Sequence, residues 1–160
     1  MTLRKQLVLM LCFALLQSCS TASAQRQLSA QVNKLGVGVI AAELVVSKPY
    51  SNIGPRAMWW GTDLTEPNEV VTDLRITVAG EEIVIPFSAF SDLAEPRAVR
   101  IIETTMGFSL DIDGSNSAGA YRATLEFVGN RIARRHVASR AFPNERWDEF
   151  VYSFVPDDGR

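Results

Sequence analysis

The sequence predicts an all-β fold: an antiparallel meander of hairpins forming a β-sandwich or a small barrel. Two observations predict it. Apolar and polar residues alternate along most of the chain after residue 70, the pattern of strands with one face in a core and one in water. Short turns join these segments, and no stretch is long enough for repeated crossover helices. At most one short helical turn is expected, near 88–94. The strands form a single domain over 25–160, close to the commonest domain size.

Residues 1–24 stand outside that domain. Arg4 and Lys5 precede an unbroken apolar run from Leu7 to Leu16, which reads as a secretory signal and is short for a bilayer span. Two cleavage sites compete. Ala22-Ser23-Ala24 offers the small residues that signal peptidase requires, leaving a soluble chain from Gln25. Leu16-Gln17-Ser18-Cys19 resembles a bacterial lipobox, with Gln17 departing from the usual small or apolar residue; cleavage there makes 1–18 the leader and lipid-modifies Cys19. The expectation is therefore an exported bacterial protein: periplasmic, or an outer-membrane lipoprotein if Cys19 is the first residue. Both cysteines, Cys12 and Cys19, lie in the leader, so the domain has no internal disulfide and folds on its core alone.

Along the domain, "QLSAQVNK" is mostly polar. Val37, Val39 and Ala41 alternate, while Ile40 to Val46 fits a strand or a buried helical turn equally. "SKPYSNIGP" is loop chemistry. "DLRITVAGEEIVIPF" is the clearest hairpin. A two-residue loop at Gly80-Glu81 predicts that Val78 faces Ile83, Ile76 faces Ile85 and Leu74 faces Phe87. Ser88 is positioned to cap the short helical turn, which Pro96 closes. "AVRIIETTMGFSLDID" makes a second hairpin, with Phe108, Leu110 and Ile112 inward and Ser109, Asp111 and Asp113 outward. The third, turning at Gly129-Asn130, puts Tyr121, Ala123, Leu125 and Phe127 on one face and sets His136 opposite Ala123. In "RWDEFVYSFV" the alternation breaks step, which predicts a bulge in the last strand.

Charge and motifs exclude several chemistries. Sixteen basic and eighteen acidic residues give a formal charge of −2. Losing a leader with two basic residues and no acidic one takes it to −4, unfavourable for nucleic acid, which is not an expected partner. Gly36, Gly38 and Ala41 match G-x-G-x-x-A, but without the preceding apolar strand and βαβ context that dinucleotide binding needs. Asp111, Asp113 and Asn116 start like a calcium loop. Gly114 arrives two positions early and no glutamate closes it, so a solvated turn is the better reading. Asp111 and Asp113, spaced along one strand face, also resemble a glycosidase carboxylate pair, a signal that many solvent faces share. With one histidine and no cysteine in the domain, no metal or other cofactor is expected.

Four residues remain as binding candidates. Trp59 and Trp60 are adjacent, so in a strand they point to opposite faces; one must be covered by another element, such as the 37–46 segment, or exposed as a platform. Arg134 and His136 share a face with Arg140, while Arg131 and Arg135 take the other. Such arginines suit ion pairs with Glu126 and Glu103, or anionic glycan or lipid headgroups. His136 is also the one candidate general base, in a hydrolase reading that pairs it with a serine and an acid such as Asp111. No G-x-S-x-G elbow accompanies it.

"MWWG", "VAGEEIVIPFSAFSDLAEPR" and "YRATLEFVGNRIARR" resemble segments of small exported bacterial proteins of unknown function, over about residues 57–155. The resemblance implies a shared fold and export and carries no functional residue. The sequence thus predicts a non-enzymatic binding or accessory domain, with an envelope protein or an anionic glycan or lipid as partner. Membrane contact is expected only through a lipid at Cys19. A small envelope hydrolase is the alternative.

Overall fold

The computed structural model describes residues 25–49, 58–62, 66–115 and 119–153. The chain forms two antiparallel sheets, each a meander in sequence order. The first contains β1 (Arg26–Lys34), β2 (Gly38–Ser47), β3 (Val70–Val78) and β4 (Glu81–Ile83). The second contains β5 (Pro96–Glu103), β6 (Gly107–Gly114), β7 (Tyr121–Val128), β8 (Arg131–Ser139) and β9 (Arg146–Val151). The all-β expectation holds as a sandwich, and neither sheet closes into a barrel. The helical content described is one 3₁₀ turn at Phe87–Ala89. Pro86 precedes that turn and no side chain caps it, so the capping role expected of Ser88 is not taken.

Alternation builds the core as expected. Ile40, Ala42 and Leu44 from β2 and Leu74, Ile76 and Val78 from β3 meet Phe108, Leu110, Ile112, Ala123, Leu125 and Phe127 from the second sheet. Phe108 and Phe127 stack with centroids 4.4 Å apart. The 40–46 segment is strand rather than helix, and the polar stretch before it is β1, whose alternate residues are half-buried. Gly36 and Gly38 lie at the turn joining the two with positive φ, so these glycines serve a hairpin and not a nucleotide loop.

Two registers differ from expectation. The β3–β4 turn is Ala79-Gly80, both residues left-handed (φ 51° and 87°), so Val78 pairs with Glu81 and Ile76 with Ile83. A turn with both central residues left-handed matches the strand twist, and it outweighs the unfavourable φ at Ala79. The shift is two residues, so every side chain keeps its face. In the third hairpin a bulge at Ala133 moves the register by one, and His136 faces Thr124 rather than Ala123.

The sandwich is closed unequally at its two sides. β1 lies against β5, where Arg26 donates to the Pro96 carbonyl (2.8 Å) and Lys34 donates to the Thr104 (2.9 Å) and Gly107 carbonyls. At the other side β4 has only three residues, and β9 is the edge of the longer sheet that pairs with no further strand among the described residues.

Candidate functional site

The sheet-to-sheet connection and β9 build one cluster near that open side. Trp60 forms a short bridge with Leu93: its N–H donates to the Asp92 carbonyl and its own carbonyl accepts from Ala94, both at 2.9 Å. Gly61 follows with φ 101°, and a Cβ there would fall 2.8 Å from the Tyr121 ring, which explains the glycine after the tryptophans. Tyr121 is fully buried and donates from its hydroxyl to the Ala94 carbonyl at 2.9 Å. Burial pushes its phenol well above the ordinary range, with the Asp92 charge acting in the same direction.

Arg135 organises the cluster. It projects from β8 into the sandwich interior, opposite Leu125, and is 0% exposed. Its guanidinium donates to Asp92 (2.6 Å) and to Asp148 of β9 (2.8 Å), and lies 5.7 Å from the centroid of the Phe150 ring. Asp92 also accepts from Trp60 Nε1 at 3.1 Å. Burial pushes the Asp92 carboxyl above its ordinary value, against the pull of Arg135. The predicted bulge in the last strand is at Trp147, which has no partner on β8. Freed from the ladder, Trp147 stacks on Trp60 with centroids 5.9 Å apart and planes at 20°.

The tryptophan pair of the sequence thus divides. Trp60 packs against the core with Trp147 as its cover, and not under the 37–46 segment, which is β2. Trp59 is half-buried beside it, and its carbonyl accepts from Thr62 at 3.5 Å. Trp147 and Phe150 are 40% and 49% exposed, so the aromatic surface open to water is centred on them. Sequence reasoning missed Asp92, Arg135, Asp148 and Trp147 as a unit, because they come from three separate segments. The expected register, with His136 opposite the inward Ala123, aimed Arg135 outward, and the bulge at Ala133 reverses both.

Arg134 and His136 lie on the outer face of the second sheet, away from this cluster. A row runs across all five strands there: Arg100, Asp111, Thr124, His136 and Glu149. Asp111 accepts from Thr124 at 2.8 Å, and Asp113 accepts from Arg122 (2.8 and 3.2 Å) and Arg100 (3.0 Å). Burial pushes Asp113 up, but the Arg122 hydrogen bonds and the charges of Arg122, Arg100 and Arg140 outweigh it and hold the carboxyl low. Arg134 pairs with Glu126 (3.8 Å) and Glu149 (3.4 Å). His136 Nδ1 is buried, with Glu126 3.8 Å away and no hydrogen-bond partner. Burial lowers the His136 pKa, with Arg146 adding to the effect and Glu126, Glu149 and Asp111 opposing it.

This face is a compensated ion-pair ladder. Arginines that meet acids at this density present little net attraction to an anionic headgroup. Among the described residues the acid nearest His136 Nδ1 is Glu126, and Asp111 accepts from Thr124. Among the described residues no group of three or more His, Cys, Asp or Glu side chains is placed to hold a metal. Cys19 and Asn116 lie outside the described residues. No family model, curated protein or solved structure matches this chain. Its function must be read from its own geometry.

Proposed function

We propose that this chain is an exported, non-enzymatic binding or accessory domain that contacts an envelope protein through the Trp147 surface. The observation that carries the reading is the fixed aromatic pair. Trp147 is held out of the β-ladder by a bulge, stacked on Trp60, and backed by a fully buried arginine that ties Asp92 to Asp148. Large aromatics held rigid before contact lose little entropy on binding, and this is how interface anchors are built. Met58 and Phe142, 74% and 61% exposed, are further apolar side chains outside the core. Export is supported by the basic start and apolar run of residues 4–16.

A protein partner suits this surface better than an anionic glycan or lipid. Beside the aromatics two carboxylates, Asp92 and Asp148, share the one guanidinium of Arg135, and Arg100, Arg122 and Arg134 of the outer face are already paired. The test is site-specific photocrosslinking in the bacterial envelope, with the full-length gene expressed. A photoreactive residue in place of Trp147 is expected to trap a discrete protein adduct. One in place of Gln31, on the outer face of the first sheet, is expected to trap none. His136→Ala should leave the adduct unchanged. Equal labelling from both positions, or loss of the adduct in the His136 variant, would overturn the assignment of the surface.

A further inference from the structure

We infer that β9 is a self-association edge, and that two copies of this chain join their five-stranded sheets antiparallel about Phe150. The inference stands apart from the Trp147 reading and rests on the sheet edges. Of the four edges, β1 and β5 lie against each other with Arg26 and Lys34 bridging the seam. β4 is three residues long and runs into Pro86. That leaves β9, six residues long and mostly exposed, with its far edge paired to no strand among the described residues. Val151 there is 71% exposed. Natural sheets blunt such an edge with bulges and inward charges. Here the bulge occupies only Trp147, and the inward charge, Asp148, is neutralised by Arg135.

Backbone direction and charge select the register. The Tyr152 N–H donates to the Ala133 carbonyl on β8. Alternation therefore aims the N–H and C=O groups of Phe150 at β8 and those of Glu149 and Val151 at the free edge. Residues opposed across a two-fold axis share a face, so the axis must pass through one residue. Centred on Asp148 or Glu149 it sets like charges against each other, and centred on Trp147 it meets the bulge. Centred on Val151 it overlaps only one residue of the strand. Centred on Phe150 it opposes Glu149 to Val151 of the second copy, and Val151 to Glu149, each pair exchanging both of its outward hydrogen bonds. It also opposes Asp148 to Tyr152 and brings the two half-exposed Phe150 rings together at the close, non-hydrogen-bonded position. A second copy of this chain thus satisfies both the free backbone and the exposed ring.

Sedimentation equilibrium of the processed protein in mild detergent is expected to give twice the protomer mass. Val151→Pro, which removes an outward N–H and leaves the β8 bonds in place, is expected to give the protomer mass. Phe150→Lys supplies a second route to the same result if the proline variant fails to fold. The register is read by mild oxidation of single-cysteine variants. Phe150→Cys is expected to form a covalent dimer, and Glu149→Cys, which faces Val151, is not. A wild-type protein that remains a protomer at about 100 µM, well above a micromolar dissociation constant, overturns the inference. So does a covalent dimer from Glu149→Cys but not Phe150→Cys, or a protomer that instead takes an extended segment of another protein onto β9. Trp147→Ala is expected to leave the dimer mass unchanged, which separates this result from the fate of the Trp147 surface.

Discussion

Arg135 carries the largest single commitment in the molecule. A guanidinium with no exposed surface survives only because two carboxylates compensate it, and those carboxylates survive part-buried only because it is there. Arg135→Met is therefore expected to cost about 3–5 kcal/mol, the range for breaking a buried ion pair from one side. Adding Asp92→Asn and Asp148→Asn to the methionine variant is expected to recover part of that loss, since no uncompensated charge then remains. Urea unfolding of the single and triple variants decides it. A loss below about 1 kcal/mol in the single variant would mean that water already solvates the two aspartates. The unshifted hairpin register, with His136 opposite the inward Ala123, put Arg135 on the outward face; the Ala133 bulge turns it inward, and its partners lie 43 and 13 residues away, with no local pattern in the sequence to link them.

At the level of elements, the hairpins were readable because period-two alternation is a direct record of which face is buried. The inward faces of β3, β6 and β7 stand as the sequence predicts. Register was less readable, since it is set by turn dihedrals and bulges that leave little trace in composition. The Ala79-Gly80 turn shows the difficulty. Glycine at the second position suits a left-handed φ, whereas alanine at the first, at φ 51°, is sterically strained. That strain is itself testable: Ala79→Gly is expected to raise stability by about 1 kcal/mol, the order of the left-handed penalty for an L-residue, against the smaller entropy lost by the unfolded chain. An unchanged or lower denaturation midpoint would place the turn elsewhere, and the Gly80-Glu81 register would return. β1 was hidden for a different reason. Its inward residues do alternate, and Leu28 and Val32 pack against the core, but Arg26 and Lys34 at its two ends and the small Ala30 between them weaken the apolar signal.

On the scale of the whole molecule, the two faces of the second sheet hold opposite kinds of information. The inner face is an apolar core that holds one arginine and its Asp148 partner at the β9 edge, and the outer face is a ladder of acids and arginines crossed by His136. The ladder makes stability depend on pH in two steps. His136 has a lowered pKa in the folded state, so below the ordinary imidazole value of 6.5 the unfolded chain takes the proton first. Stability is then full above that value and is lost as pH falls from it towards the folded pKa. Asp113 is also lowered, by Arg122 and Arg100 against its burial, so its contribution is present above the ordinary aspartate value of 3.8 and is lost as pH falls through the folded pKa. Urea unfolding from about pH 8 to about pH 3 should show both falls. His136→Asn is expected to flatten the first and leave the second. Asp113→Asn is expected to lower stability at neutral pH, with the gap to wild type closing only below the aspartate value. If the His136 variant keeps the first fall, the buried imidazole is not its source.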